Sequence, residues 1–257
     1  MGTLSSVSIE PRGDPGTQLR IGTAGWAIPK QHSSAFPADG GGLGRYAAVF
    51  NAVEINSTFY RVHRASTFER WADNVPDDFR FSVKVPKLIT HEKRLVGAEQ
   101  ELESFVSSLS VLGPKLGPLI LQLPPKLAYD EATTTAFLDA ARGTGAIELV
   151  IEPRHETWFR PDAQALLEAY GIARVGADPE RAPGALQPGG SRHVTYLRLH
   201  GSPRVYFSAY DDTFIEGIGE ILAAADGPAW CIFDNTASGA AAGDALRLKQ
   251  MWRSDNP

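Results

Sequence analysis

Short apolar runs and amphipathic helical patterns take turns along almost the whole chain. The runs RIGTAG (20–25), AVEIN (52–56), FRFSVKVP (79–86), PLILQLP (118–124), IELVIEP (147–153), ARVGAD (173–178), VTYLRLHG (194–201) and WCIFDN (230–235) read as strands. Between most of them GRYAAVF, ASTFERWAD, EQELESFVSSLSVL, EATTTAFLDAAR, DAQALLEAY and DTFIEGIGEILAAA carry apolar residues at helical spacing, and GDALRLKQMW ends the chain as a last helix. Such alternation means parallel strands joined by crossovers. Eight such units within 257 residues fit a (β/α)8 TIM barrel better than an open sheet. The fold class is therefore α/β, with one domain over 19–253. The segment PERAPGALQPGGSRH (179–193) is too rich in Gly and Pro for a helix, so a loop is expected in place of the sixth helix.

A parallel barrel covers both faces of every strand, helices on one side and the barrel interior on the other. Solvent therefore does not explain the polar residues that alternate with apolar ones in these strands. In VEINSTFYR, Glu54 and Asn56 share one face while Val53 and Ile55 share the other. Ser82 and Lys84 alternate with Val83 and Val85, and Gln122 lies between Leu121 and Leu123. Glu152 and Arg154 follow Ile151, Asp178 ends strand six, Arg198 and His200 alternate with Leu197 and Leu199, and Asp234 and Asn235 end strand eight. All of these crowd the C-terminal strand ends, where barrel enzymes place their chemistry. They are expected to line one cavity at the barrel mouth. The bland alternative is an inert ion-pair network plugging that mouth, a costly arrangement to keep for stability alone.

The composition, 43% hydrophobic and 21% charged with a net charge of −5, is that of a globular chain with no global field to attract nucleic acid or an anionic membrane. No apolar run approaches a membrane span. The single cysteine, Cys231, sits in an apolar run and reads as a core residue. Residues 1–18 read as a frayed leader without a signal-peptide core, so the cytoplasm is the expected location. Gly2 and Ser6 match the myristoylation pattern, a short pattern that recurs by chance.

The blocks IGTAGW, FNAVEINSTFYR, FRFSVKVPKLITH, LGPLILQLPP, EPRHETWF, YLRLHG and DNTASGAAAGDALRL, in this order, resemble the YecE-like family, domain of unknown function 72. The resemblance runs from about Leu19 to Met251 and implies a TIM barrel without implying a reaction. Two positions depart from the family pattern, with Asp234 and Asp244 standing where asparagine is usual.

Three functions fit the residues. The first is an enzyme acting on a small phosphorylated or polyhydroxylated substrate, sugar-like or nucleotide-like. Arg154, Arg198 and Lys84 would hold anionic oxygens. Glu54 or Glu152 would be the general base, with His200 as acid or electrophile. Asn56, Tyr60, Gln122, Asp178, Asp234 and Asn235 would contact the substrate, with His91 reaching the mouth from the next loop. Gly201 after strand seven and Gly239 in NTASGAAAG would let an anion approach helix N-terminal amides, with Arg198 beneath. The second is a metal-dependent phosphodiesterase or nuclease with Glu54, Glu152, Asp178, His200 and Asp234 as ligands. The absence of HxH or HExxH spacing and the three cations in the same mouth argue against it, so no metal or other cofactor is expected. The third is a non-catalytic ligand-binding barrel, whose aromatic residues would stack on a sugar or base. The expected partner is a small, possibly anionic molecule, with nucleic acid not favoured.

Overall fold

The computed structural model describes residues 19–145 and 147–255; the 1–18 leader, with Gly2 and Ser6, lies outside them. The elements run β1 (Leu19–Thr23), α1 (Gly42–Ala47), β2 (Ala52–Ile55), α2 (Ala65–Asp73), β3 (Arg80–Lys84), α3 (Glu99–Leu109), β4 (Leu116–Gln122), α4 (Glu131–Gly143), β5 (Leu149–Glu152) and α5 (Pro161–Tyr170). They continue as β6 (Ala173–Arg174), β7 (Gly176–Asp178), β8 (Gly189–Gly190), β9 (Thr195–Leu199), α6 (Asp212–Ala223), β10 (Ala229–Phe233) and α7 (Ala240–Asp255). Local signals set several boundaries. The Asp130 and Asp211 side chains accept from Thr133 N and Phe214 N at 2.8 Å and cap α4 and α6. Pro161 opens α5, and Gly171, with φ +68°, closes it.

The fold is the α/β TIM-barrel type that the alternation predicts, and β6 and β7 together fill the sixth strand position, interrupted at Val175. No helix lies between β7 and β9, as the Gly/Pro content predicts. The 179–193 loop instead folds back, with β8 antiparallel to β6 and Ala177 N donating to Ala185 O at 2.8 Å. Gly176 permits this approach, because a Cβ there would stand 2.2 Å from Leu186 O.

The ladders form two sheets, in the orders β1-β10-β9-β7 and β2-β3-β4-β5-β6-β8. One seam is the break at Val175. At the other, between β1 and β2, a single bridge joins Ala24 to Glu54. Side chains replace the missing ladder. The Asn51 amide accepts from Ile21 N (3.0 Å) and donates to Leu19 O (2.8 Å), imitating a peptide group. The Tyr46 hydroxyl, from α1, accepts from Thr23 N (2.8 Å) and donates to Ala52 O (3.1 Å).

Strand parity divides the core. Val53, Ile55, Val83, Leu121, Ile151, Leu197, Leu199 and Phe233 pack outward against the helices, as does the buried Cys231, whose thiol burial pushes above its ordinary pKa. Ala52, Ile120, Val150, Val175, Tyr196, Trp230 and Ile232 fill the barrel interior. This apolar plug is the floor on which the charged residues of the next inward layer stand.

Candidate active site

Arg198, from β9, is the centre of that layer and is fully buried. Its guanidinium forks onto Glu54 of β2, Nε to Oε2 at 2.9 Å and Nη2 to Oε1 at 2.6 Å. Nη1 donates to Glu152 Oε2 of β5 (2.5 Å) and Nη2 to Asp234 Oδ2 beyond β10 (3.0 Å). A charge this deep survives only when its donors are met, and here three carboxylates from different strands meet them.

Every carboxylate in the ring has further partners. Glu54 also accepts from the Tyr196 hydroxyl at 3.2 Å, and that hydroxyl pairs with Ser82 Oγ at 2.7 Å. Glu152 accepts from Gln122 Nε2 (2.9 and 3.1 Å) and from Arg154 Nη2 (3.1 Å). His200 spans the ring, with Nδ1 3.0 Å from Asp234 Oδ2 and Nε2 3.0 Å from Glu152 Oε1. It can donate to both only when both ring nitrogens carry protons. Burial alone would raise the Glu152 carboxyl, but Arg198, His200 and Arg154 outweigh it and hold it well below the usual carboxylate range. Burial likewise opposes ionisation of Asp234, and Arg198 and His200 again prevail, leaving its pKa lowered.

Lys84 differs from all of these. It ends β3 on the inward face and is 7% exposed, yet its Nζ has no hydrogen-bond or ion-pair partner among the described residues. The ammonium lies 4.2 Å above the Phe59 ring. Burial, with Arg198 beside it, brings its pKa down to about 8, against the pull of Glu54, Glu152 and Asp234. By the register Glu54↔Ser82, Asn56 follows β2 at the level of Lys84. Its Nδ2 reaches Asp234 Oδ1 at 3.4 Å, while its Oδ1 is buried without a partner. His91 borders the same space. Its ring meets Phe59 edge-on at 5.0 Å, and burial, Lys84 and Arg154 lower its pKa. Tyr60 is a rim residue, 77% exposed. Tyr206, with φ +69°, holds its ring 5.8 Å from His200 as a partial cover.

Parity thus brings Glu54, Lys84, Gln122, Glu152, Arg198, His200 and Asp234 to one end of the barrel interior. It corrects four other expectations. Asp178 pairs in register with Leu199 while Ala177 pairs with Arg198, so Asp178 faces outward and accepts from the Tyr210 hydroxyl at 2.7 Å. The break at Val175 leaves the parity of Ala173 and Val175 unchanged, so Ala177 and not Asp178 takes the inward position. Asn235 is also outward, one residue beyond Asp234, and donates to Asp244 Oδ2 (2.6 Å) and Ser208 O (2.8 Å). Gly201 donates its amide to Tyr210, and a Cβ there would meet Ser208 O at 2.8 Å. Gly239 is packed against Pro29, 2.8 Å from an added Cβ, and its amide donates to Thr236 O. With Arg198 saturated below, Gly201 and Gly239 themselves give the expected phosphate cradle neither room beside their backbone nor a free amide. A leucine at 239 would strain packing and backbone, not block an anion.

Two roles change as well. Glu54 and Glu152 are buried with their oxygens engaged by donors, the lowered pKa of Glu152 makes it a weak base, and Arg198 is a positioning residue that touches no open space. In the alternative metal-dependent reading, Glu54, Glu152, His200 and Asp234 gather around the Arg198 guanidinium and Asp178 faces away from them. Among the described residues no group of three or more His, Cys, Asp or Glu is placed to hold a metal. Tyr196 is not among the residues singled out from sequence, although it lies two residues before Arg198 on the same strand face.

No helix among the described residues is long and apolar enough to cross a membrane. The chain is 32% identical over 166 residues to the UPF0759 protein YecE of Escherichia coli K12, covering 62% of this chain and 59% of YecE. The match therefore spans less than two thirds of that relative. The UPF0759 protein YunF of Bacillus subtilis 168 is 26% identical over 200 residues, covering 71% and 70%. A solved DUF72 family protein of Thermotoga maritima superposes with a TM-score of 0.77 at 24% identity, covering 92% of this chain and 99% of that one. The D-psicose 3-epimerase of Clostridium cellulolyticum, solved with D-tagatose, gives a TM-score of 0.54 at 9% identity over 91% and 98%, a likeness of fold alone. The family model described as protein of unknown function DUF72 matches residues 20–257, nearly the whole length, and the chain belongs to that family.

Proposed function

We propose that this chain is an enzyme carrying out acid–base chemistry on a small polyhydroxylated or phosphorylated substrate at the C-terminal barrel mouth. One observation carries the reading: among the described residues of a layer whose other charges are paired, Lys84 alone presents an unpaired, buried cation to the mouth. A lysine with a pKa near 8 exchanges its proton at ordinary pH, which Glu152, held well below the usual carboxylate range, does not. The acid–base role therefore passes from Glu54 and Glu152 to Lys84, with His200 as the second proton carrier. Asn56 Oδ1 offers an acceptor for a substrate hydroxyl, and Arg154, the less buried arginine, a donor for an anionic oxygen. The carboxylate ring around Arg198 holds this set rigid. A metal-dependent nuclease finds less support, since Arg198 occupies the centre of the carboxylates.

The test is proton exchange. Wild-type protein is incubated in D2O with aldoses, ketoses and their phosphates, and C–H loss next to the carbonyl is followed by NMR. Exchange should be catalysed, and Lys84→Met should lower it about a hundredfold or more. Thermal stabilisation by a sugar without exchange would favour the non-catalytic barrel. Neither exchange nor stabilisation with any member of the set would overturn the reading.

A further inference from the structure

We propose that Lys84 Nζ is a covalent nucleophile that forms an imine with the carbonyl carbon of its substrate. This rests on the reading of the mouth as a site for small carbonyl-bearing molecules and goes beyond it by naming the bond made. Three features point to a nucleophile and not a structural ammonium. First, Nζ has no carboxylate or carbonyl partner among the described residues, although three carboxylates stand in the same layer, because Arg198 and His200 have claimed them. Second, its position at the C-terminal end of β3 aims it along the inward face, and the Phe59 ring beneath it at 4.2 Å offers a face that tolerates the cation and equally the neutral amine. Third, the buried Asn56 Oδ1 at the same level is an unmet acceptor, suited to the hydroxyl released on a carbinolamine or carried by a neighbouring carbon. A lowered pKa agrees with this geometry by leaving a fraction of free amine near neutrality.

The step balances without an outside oxidant. The lone pair of the neutral amine attacks the carbonyl carbon, and a proton passes from the nitrogen to the carbonyl oxygen, giving a neutral carbinolamine. One further proton on that hydroxyl lets it leave as water while the nitrogen lone pair forms the C=N bond, which leaves a protonated imine; hydrolysis reverses it. His91, which shares the Phe59 ring with Lys84, is a proton carrier outside the ring of ion pairs.

Reductive trapping decides the matter. The intact protein is mixed with dihydroxyacetone or glyceraldehyde, treated with borohydride, digested and analysed by mass spectrometry. The peptide holding Lys84 should gain the mass of the probe less one oxygen, in yield well above the exposed Lys87 and Lys126, and yield should rise as pH approaches 8. Lys84→Met should lose that adduct. Labelling spread evenly over exposed lysines, or no adduct with either probe, would overturn covalent catalysis. Proton exchange that persists in wild type and is lost in Lys84→Met without any adduct would overturn it too, while leaving the acid–base function standing.

Discussion

Lys84 bears a cost that its neighbours avoid. Its pKa falls from 10.5 to about 8 in the fold, so the protonated form is disfavoured there relative to the unfolded chain. Below pH 8 both states are protonated and the full cost applies; between 8 and 10.5 it fades, and above 10.5 it is gone. Lys84→Met should therefore stabilise the protein by up to about 3 kcal/mol at pH 7, from 1.36 kcal/mol per pKa unit. The gain should shrink to nothing above about pH 10.5 in urea titrations at several pH values. A more stable protein that has lost activity marks a functional residue; equal or lower stability would show that the ammonium has a partner. Arg198 should behave oppositely. Arg198→Met strands three carboxylates and should cost about 3–5 kcal/mol in the same assay. At this scale strand parity made most of the charged layer legible. It could not show that donors already saturate Glu54 and Glu152, because that depends on which strands become neighbours.

At the scale of elements, the β1–β2 seam is closed by side chains. Tyr46 stands in for ladder bonds to Thr23 N and Ala52 O, both buried. Tyr46→Phe keeps the ring packing and leaves both backbone groups unmet, at about 1–3 kcal/mol each. The melting temperature should drop by several degrees, since about 1 kcal/mol moves it roughly 2–4 °C in a chain of this size. An unchanged melting temperature would show that water or a backbone shift repairs the seam. The helices and strands themselves were legible from periodicity. Asp130, Asp211, Pro161 and Gly171 sit at boundaries where their chemistry predicts them. Two glycines were not legible. Gly201 and Gly239 read as room for a ligand, and the folded chain fills that room with Ser208, Asn235 and Pro29.

For the whole molecule, the charged layer links stability to pH. Glu152 and Asp234 have lowered pKa values in the fold, so their stabilisation is complete above the ordinary carboxylate range and is lost as pH falls through their folded values. Acid should therefore unfold the protein below about pH 4, and Glu152→Gln should flatten that limb of the stability curve. Chelation should leave the melting temperature unchanged; a loss restored by one divalent metal would promote the nuclease reading. The chain alone determined the barrel, the missing sixth helix and the end at which polar residues gather, because period-two and helical patterning and Gly/Pro content act locally along the sequence. Only the tertiary structure decided that Asp178 and Asn235 face away, that Arg198 is sealed by carboxylates drawn from strands far apart in sequence, and that Lys84 is left over. Pairing of buried charges is a competition among groups that meet only when the barrel forms, and its outcome rests on distances that no single segment encodes.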